Sequence, residues 1–414
     1  MNLRHVQRLE VRCQGMTVGS LGLGDRGKIY FQYSQEWLAN GFDLAPKTMD
    51  FNGTLQLPKD AKVFKGLHGI FNDSLPDGWG LLLMDRALQA RAGWPRHDIS
   101  PLDRLAYLGD RAMGALEYVP EMPMALPDDY VDLGRLALES AAVLNGTASE
   151  VLSQLQIMGG SPGGARPKVT VAMNWSTQQC RSGFQPLPPG FSHWMVKFRS
   201  EEDRDDTGRV ERAYALMADA AGVIMPPSTL AAVPLRGRTE QYFAVQRFDR
   251  QGDLKIPVMT LSGYLYADHR QTSVEYETLL GATYQLTSDA QEVAQAYRRM
   301  VFNVATHNKD DHAKNFSYLH SNGRWRLAPA YDLTFSKGWG NEHTTALFGN
   351  GNPSRKDMLR LAKEYAVQRP EAIIDQVREA VFRWSSFATP LWVNTSTIQE
   401  YGIAFQEIDQ RLKP

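Results

Sequence analysis

The chain has 414 residues, of which 43% are hydrophobic and 22% are charged, and its formal net charge is −1. This length predicts two or three domains, and the balanced charge argues against a globally basic nucleic-acid binder. No run of about 18 apolar residues occurs, so we expect no membrane span and no membrane partner. The N-terminal stretch lacks the apolar segment of a signal peptide. The two cysteines, Cys13 and Cys180, form no CxxC pair. A reduced, cytoplasmic protein is therefore expected.

Residues 1–120 are predicted to form a small α+β unit. Short strands are expected for "RLEVRC", "MTVGSLGL" and "KIYFQYS", which are separated by turn residues such as Gly15. The stretch "PDGWGLLLMDRALQARAG" predicts a helix with Asp77 as its cap and Gly93 as its stop. The proline-rich "VPEMPMALPDDY" marks the boundary to the next part of the chain.

A strand-rich lobe is predicted over 121–254. A helical stretch (130–157) leads into the glycine-rich "MGGSPGGARPK" and the strands "KVTVAM" and "HWMVKF". The amphipathic helix "GRVERAYALMADAAGV" and the strand "QYFAVQRFDR" follow. Over 255–414 helices dominate, for example "SDAQEVAQAYRRMVFNVATHN".

The stretch "HNKDDHAKNFSYL", residues 307–319, concentrates ionisable groups behind this long helix. A calcium loop of the EF-hand type is rejected because Ala313 and Leu319 stand where glycine and glutamate are required. A zinc site is disfavoured, because His307 and His312 belong to no HExxH motif or cysteine cluster. His307 is expected at a helix C-terminus, and His312 is expected to be a packing histidine.

Phosphoryl transfer is the third possibility for this stretch. It needs an acid near the attacking hydroxyl and oxygen ligands for Mg²⁺. Asp310 and Asn315 have the Asp-x-x-x-x-Asn spacing of kinase catalytic loops, and Asp332 follows a predicted strand–turn–strand as a second metal ligand. Lys314 could touch the transferring phosphate. Asp311 is expected to be solvated or to cap the local turn.

A nucleotide-binding lobe would need a cation on a strand. Lys197 sits in "HWMVKF" between apolar neighbours, and Glu211 on the following helix could pair with it as in kinases. The segment "VQRFDR" would join the lobes, so that backbone groups at Gln246 and Phe248 could meet the adenine. Phe248 could equally be a core residue.

The glycine-rich "GGSPGGARPK" is not a Walker A loop, because Ala165 stands where lysine is required. Two interpretations stay open: a flexible turn, or a loop whose backbone N–H groups cover phosphates. Ser161 and Lys168 flank it.

Taken together, these motifs resemble those of the HipA-like serine/threonine kinases, the toxin halves of bacterial toxin–antitoxin pairs. "VFKGLHGIFNDSLPDGWGLLLMDRAL", "GGSPGGARPKV", "HWMVKF", "VERAYALMADAAGV", "VQRFDR", "KDDHAKNFSYL" and "LAPAYDL" fall in the family order over most of the chain. The resemblance implies an α+β, two-lobed protein-kinase-like fold with an added N-terminal subdomain and a mainly helical C-lobe.

The resemblance also implies roles for individual residues. Lys197 would contact ATP phosphates, Asp310 would be the catalytic acid, and Asn315 and Asp332 would hold Mg²⁺. Ser161 matches the loop serine that family members autophosphorylate, which switches the kinase off, and Lys168 matches the loop lysine.

The sequence departs from the family pattern at three places. Gln246 replaces the usual glutamate of the hinge, and Pro162 and Pro167 stiffen the loop. The segment "MTLSGYLYADHRQTSVEYETLL" looks more like a stand-alone HipA-like branch.

The family's substrates include aminoacyl-tRNA synthetases, notably the glutamyl enzyme. The resemblance also implies a HipB-like helix-turn-helix antitoxin as a partner. This chain would then contact DNA only indirectly, through that antitoxin. The expected function is that of an ATP- and Mg²⁺-dependent protein kinase. A kinase-like corepressor and a small-molecule kinase are the alternatives. The stretch "RLAKEYAVQRPEAIIDQVREAV" could pass as a helix-turn-helix, but its balanced charge favours packing within the lobe.

Overall fold

The computed structural model describes residues 3–123, 130–148, 153–235, 237–268 and 274–414. The chain divides into two compact units. The first comprises Met1–Arg204, Ala231–Met259 and Gly263–Tyr266, and the second comprises Asp205–Leu230, Thr260–Ser262 and Ala267–Pro414. Within the described residues, none of the helices combines the length and the apolarity needed to cross a bilayer.

The strands come in chain order as follows: β1 (Arg8–Cys13), β2 (Met16–Leu23), β3 (Ile29–Tyr33), β4 (Leu116–Val119), β5 (Lys168–Asn174), β6 (Gln179–Arg181), β7 (Ser192–Lys197), β8 (Ser228–Leu235), β9 (Arg238–Gln246), β10 (Arg250–Gln251), β11 (Leu254–Lys255), β12 (Val258–Thr260), β13 (Ser317–Ser321) and β14 (Arg324–Leu327).

The α-helices are α1 (Gln35–Asn40), α2 (Gly69–Asn72), α3 (Gly78–Ala92), α4 (Pro101–Leu108), α5 (Leu133–Leu144), α6 (Ser153–Gly159), α7 (Thr207–Ala220), α8 (Leu261–Leu265), α9 (Tyr276–Thr287), α10 (Ala290–Ala305), α11 (Arg355–Glu364), α12 (Pro370–Phe382), α13 (Trp384–Ala388) and α14 (Thr395–Leu412).

The first unit contains a four-stranded sheet in the order β3-β2-β1-β4, and its neighbouring strands run antiparallel. Alternation along β1 places Leu9, Val11 and Cys13 in the core, as a period of two predicts. Burial raises the pKa of the Cys13 thiol to about 12, so this cysteine is an inert core residue.

A five-stranded sheet has the order β6-β5-β7-β9-β8. One of its faces carries Val169 and Val171 from β5 and Val196 from β7, and these residues pack with Trp79 of α3 and Leu136 of α5. Burying each such aliphatic side chain contributes roughly 1.5–3 kcal/mol, so this shared core fixes the sheet on its helices.

The second unit is mainly helical, and α10 lies at its centre. Asp289 caps α10 by accepting a hydrogen bond from the N–H of Gln291 at 2.8 Å. Buried side chains follow along the helix, among them Tyr297, Met300 and Val304. The strands β13 and β14 form an antiparallel hairpin in which Ser321 pairs with Arg324. The two-residue Asn-Gly turn between them has positive φ at both positions, as such hairpins require.

The predicted elements agree with the structure in most places. The helix from Asp77 to Gly93 is present, with Gly93 at a φ of 69°. The strand predicted for "QYFAVQRFDR" ends at Gln246, and Arg250 begins a separate short strand. Of the predicted helical stretch 130–157, residues 149–152 lie outside the described residues. Residues 124–129 of the predicted boundary and residues 269–273 of the segment "MTLSGYLYADHRQTSVEYETLL" also lie outside the described residues.

The helix-turn-helix candidate is part of the core of the second unit. Ile374 and Val377 of α12 are fully buried, and so is Leu361 of α11. The prediction that this stretch packs within its lobe therefore agrees with the structure. The division into 1–120, 121–254 and 255–414 stays a prediction.

Candidate active site

The polar stretch after α10 forms a loop, residues 307–315, that we term the acidic loop. His307 turns the chain out of the helix with a φ of 54°. Its ring stacks on Phe335 at 4.4 Å, and Phe335 stacks in turn on Tyr401 of α14 at 4.0 Å. The Nδ1 atom of His307 lies 2.9 Å from the carbonyl oxygen of Ser336. Burial is the main cause that lowers the pKa of His307, so this imidazole is neutral at pH 7 and serves as an anchor.

Asp310 projects from the acidic loop towards solvent. Its side chain is 66% exposed, whereas the neighbouring residues Lys309 and Asp311 are only 2% and 1% exposed. The carboxylate of Asp310 is therefore open to solvent, although the residues on either side of it are buried charged groups. The chain holds Asp310 outward while both neighbours are fixed in the protein.

Asp311 contradicts the prediction of a solvated or turn-capping residue. Its carboxylate accepts hydrogen bonds from the Tyr276 hydroxyl and from the N–H of Thr345 at 3.1 Å, and it lies 2.7 Å from Nδ1 of His343. The Thr345 hydroxyl donates to the main-chain oxygen of Asp311. A buried carboxylate needs such partners to offset its lost hydration, and the local sequence gave no sign of them.

Asn315 and Lys314 close the acidic loop. The side-chain amide of Asn315 donates from its nitrogen to the main-chain oxygen of Asp310 at 2.7 Å. The amide oxygen is then the atom that this residue offers to a cation, and oxygen is the ligand that Mg²⁺ prefers. Asn315 and Asp310 are thereby joined at the spacing that the sequence suggested.

Asp332 is bracketed by two connections to the acidic loop and its hairpin. On one side, the Tyr331 hydroxyl donates to the carbonyl oxygen of Lys314 and contacts the Ser317 hydroxyl. On the other side, the N–H of Ser336 donates to the carbonyl oxygen of His307 at 2.9 Å. Asp332 itself has a φ of 54°, a conformation that costs non-glycine residues energy and recurs at functional sites.

In the first unit, Lys197 ends β7 and is paired in register with Lys168 at the start of β5. Lys197 lies over the ring of Phe243 at 5.6 Å. Lys168 is 4% exposed, and its ammonium donates to the carbonyl oxygen of Gly163 at 2.7 Å. Two lysines side by side at one end of a sheet suit a polyanionic ligand.

The glycine-rich loop is fixed against α3. The N–H of Gly164 donates to the Asp77 carboxylate, and the Gly164 carbonyl accepts from the N–H of Trp79 at 3.0 Å. Asp77 begins the helix as predicted, but its carboxylate binds this loop instead of capping the helix. Ser161 is 2% exposed, so its hydroxyl faces the protein interior in this arrangement.

The segment after β9 is anchored by a cluster of buried charges. Arg247 donates two hydrogen bonds to Asp249, and Arg250 donates to the same carboxylate at 2.8 Å. Asp249 also accepts from the N–H of Gly114 at 2.7 Å. Gln246 and Phe248, the predicted adenine contacts, are partly buried on either side of Arg247.

A cavity of about 200 Å³ opens beside this cluster in the first unit. It is lined by Arg111, His193, Arg247, Arg250 and Lys255, among others. Sequence reasoning missed it because these residues come from separate parts of the chain. Burial lowers the pKa of Arg250 to about 10 and that of His193 to about 4, so the imidazole in this cavity is neutral.

Glu211 lies on α7 in the second unit and is 4% exposed. Its pairing with Lys197 stays a prediction, as do the nucleotide roles assigned to the first unit. Among the described residues, no three His, Cys, Asp or Glu side chains gather to form a metal site on their own. A cation held by Asn315 and Asp332 would therefore need further ligands, and phosphate oxygens supply them in kinases.

The chain combines helices and sheets, and its acidic loop has the Asp-x-x-x-x-Asn spacing of kinase catalytic loops. Two family profiles match it: the HipA-like C-terminal domain over residues 160–384 and the HipA N-terminal domain over residues 9–119. The chain therefore belongs to the HipA-like family. The resemblance identified from the motifs is confirmed.

Two curated relatives of Sinorhizobium fredii carry kinase names. Y4dM is 28% identical over 209 residues, which are 46% of this chain and 50% of Y4dM. Y4mE is 24% identical over 360 residues, 79% of this chain and 77% of Y4mE. The chain thus matches only half the length of Y4dM.

A solved structure gives the fold independently. A chain of the Shewanella oneidensis MR-1 toxin–antitoxin complex of HipA, HipB and operator DNA matches with a TM-score of 0.71 and 15% identity. The match covers 98% of this chain and 97% of that one. It confirms the predicted kinase-like HipA fold.

Proposed function

We propose that this protein is an ATP- and Mg²⁺-dependent serine/threonine protein kinase of the HipA type. The observation that carries the proposal is the exposed Asp310 carboxylate held between buried neighbours, with Asn315 hydrogen-bonded to its main chain. Phosphoryl transfer requires positioning and charge neutralisation more than covalent chemistry. A fixed acid beside an amide oxygen suits that requirement.

The roles divide between the two units. Asp310 orients the attacking hydroxyl and accepts its proton, and Lys314 lies within the same loop to meet the transferring phosphate. Asn315 and Asp332 would hold Mg²⁺, which supplies charge neutralisation at the phosphates when bound. In the first unit Lys197 and Lys168 would bind phosphates, Glu211 would orient Lys197, and the backbone at Gln246 and Phe248 would meet the adenine.

The substrate is proposed to be a protein, with an aminoacyl-tRNA synthetase such as the glutamyl enzyme as the candidate. A phosphoserine carries up to two negative charges, so one beside a synthetase ATP site would repel an anionic ligand and halt growth. A HipB-like antitoxin is the proposed partner, because the matched Shewanella complex contains HipA with HipB and operator DNA. DNA would be reached only through that partner.

Ser161 is proposed as the site of inhibitory autophosphorylation. Because its hydroxyl is buried, the glycine-rich loop must leave its place against α3 before Ser161 can accept a phosphate. Loss of that arrangement would separate the loop from Asp77 and Lys168. Phosphorylation would then stabilise the displaced loop and stop turnover.

Intact mass after incubation with Mg-ATP tests the proposal. The wild type should gain one phosphate that peptide mapping assigns to Ser161, and Asp310→Asn should gain none while still binding nucleotide. The matched control is Asp25→Asn, which changes an exposed aspartate of the first unit in the same way. Phosphate on the Asp310→Asn protein would refute the assignment of the catalytic acid.

The identity of the phosphate acceptor distinguishes a protein kinase from a small-molecule kinase. Sugars and aminoglycosides offered with Mg-ATP should remain unmodified, whereas protein from a cell extract should become phosphorylated. The corepressor alternative predicts no phosphate on any acceptor although the protein is folded and binds ATP.

A further inference from the structure

The chain that follows Asp332 runs back along the acidic loop, and we term residues 336–352 the clamp segment. Asn308 and Ser336 form a parallel bridge, and the N–H of Lys309 donates to the Ser336 carbonyl at 3.4 Å. Farther on, the N–H of Thr344 donates to the carbonyl oxygen of Lys309 at 3.1 Å. The clamp segment thus contacts the main chain directly before Asp310.

The side chain of Lys309 provides the first attachment between the acidic loop and the clamp segment. Its ammonium donates to the main-chain oxygen of Asn341, to the Asn341 side-chain oxygen at 2.9 Å and to the Asn352 side-chain oxygen at 3.4 Å. Burial, and secondarily repulsion from Arg411, lowers the pKa of Lys309. A buried ammonium requires acceptors in this number, and the clamp segment supplies them as neutral oxygens.

The clamp segment lies close against Lys309. At Gly338, which has a φ of 62°, an added Cβ would come 2.7 Å from Cβ of Lys309 and 2.3 Å from the Glu342 carbonyl oxygen. Both the conformation and the contact require glycine at this position. A side chain at this position would therefore push the clamp segment away from Lys309.

Asp311 provides the second attachment, on the other side of Asp310. His343 and Thr345 of the clamp segment contact its carboxylate, and Tyr276 contacts it from the start of α9. The Tyr276 hydroxyl also accepts from the side-chain amide of Asn303 at 3.2 Å, which joins the network to α10. Removing one partner of such a buried network leaves the others unsatisfied.

In many kinases the segment after the metal-binding acid is ordered only by phosphorylation, through new pairs between arginine and phosphate. The corresponding contacts here use amides, a histidine, hydroxyls and main-chain groups that the chain already contains. We propose that the clamp segment sets Asp310 in its working position through Lys309 and Asp311, without a phosphate in that segment. Tyr276 and His343 are then positioning residues of the kinase.

This inference rests on the proposed kinase function, so its test has one readout that needs no activity. The variants are Tyr276→Phe, which keeps the ring and removes the hydroxyl, and His343→Gln. The controls are Tyr284→Phe at a tyrosine that is 59% exposed and His97→Gln at a side chain that is 83% exposed. Hydrogen exchange of peptides spanning 307–315 is measured together with kcat and KM for Mg-ATP.

Both variants should exchange faster in the acidic loop, and their kcat should fall about 10- to 100-fold, because a displacement near 1 Å has that effect on an aligned group. Their KM for Mg-ATP should change less than about twofold, because uniform nucleotide binding is untouched. The control variants should match the wild type in every readout. Peptide mapping of active wild type should find the clamp segment, residues 336–352, without phosphate.

Faster exchange with unchanged kcat would overturn the positioning role, and unchanged exchange would overturn the clamp itself. Activity that requires a phosphate within the clamp segment would overturn the inference as well. A wild type without any phosphotransfer would refute the proposed function instead, while the exchange data would still decide whether the clamp segment holds the loop.

Discussion

Replacing Asp249 by asparagine should destabilise the first unit strongly. The Asp249 side chain is 2% exposed and lies between the guanidinium groups of Arg247 and Arg250, whose side chains are 6% and 7% exposed. Burial by itself would raise the pKa of Asp249, but the two arginines outweigh it and hold the pKa well below the ordinary value. The variant would remove the buried carboxylate that the two guanidinium groups share.

The magnitude follows from that geometry. Removing one partner of a buried ion pair costs about 3–5 kcal/mol, and the asparagine amide can keep only some of the hydrogen bonds that Gly114 and the arginines donate. For a unit of about 150–250 residues this corresponds to a fall in Tm of about 6–20 °C. Gln246 and Phe248, which flank Arg247, should be displaced in the same variant.

Urea unfolding followed by tryptophan fluorescence measures the loss, with Asp253→Asn as the control because Asp253 is an exposed aspartate of the same region. The control should stay within about 0.5 kcal/mol of the wild type. A loss below about 1 kcal/mol for Asp249→Asn would show that the arginines find other partners and would refute the reasoning.

The pH dependence of the stability difference between wild type and Asp249→Asn provides a second test. Because the folded-state pKa of Asp249 is depressed, its contribution is present above the unfolded-state value and is lost as pH falls through the folded-state value. The difference between wild type and variant should therefore be full at pH 7 and should shrink only in strong acid. A difference that disappears already near pH 6 would contradict the assignment.

Three further predictions concern other parts of the chain. Asp332→Ala should weaken binding of Mg-ATP but not of metal-free ATP in calorimetry, and equal losses for both ligands would contradict its metal role. Burial raises the pKa of Glu277 to about 7. The contribution of this group to stability is therefore complete below about pH 4.5 and is lost as pH rises through about 7. Between pH 6 and 8 the urea midpoint of Glu277→Gln should fall less than that of the wild type. At Gly80 an added Cβ would come 2.6 Å from the Pro162 carbonyl oxygen, so Gly80→Ala should cost about 1–3 kcal/mol and speed hydrogen exchange in the glycine-rich loop. Gly402→Ala, with nothing within 4 Å, is its control and should leave both values unchanged or improved.

The sequence predicted the elements whose signals are local. The hairpin after Asn315 was foreseen as strand–turn–strand, and its Asn-Gly turn has the backbone that such a hairpin needs. The N-terminus of α3 was likewise predicted at Asp77, because capping residues have a short-range pattern. The carboxylate's actual partner, Gly164, is 87 positions away and was invisible to that pattern.

Asp311 shows why the rest could not be predicted. Its partners Tyr276 and His343 lie 35 positions before it and 32 after it. A run of charged residues in a loop is most often solvated, and only the tertiary fold brings a tyrosine and a histidine to one carboxylate. The spacing of Asp310 and Asn315 predicts phosphoryl-transfer chemistry, which stays a proposal, whereas the contacts that hold the loop involve residues outside the motif.

The alternation of burial along residues 309–311 also bears on how variation in this chain will be interpreted. A saturation library can be scored separately for protein abundance and for phosphotransfer. The two scores should respond differently to substitutions at Asp310 than to substitutions at its two neighbours. Most substitutions at Lys309 and Asp311 should lower both scores, because unsatisfied buried charges compromise folding. Substitutions at Asp310 should leave abundance intact and remove activity alone, so alleles at this one position would give full-length, folded and inactive protein for partner-binding studies.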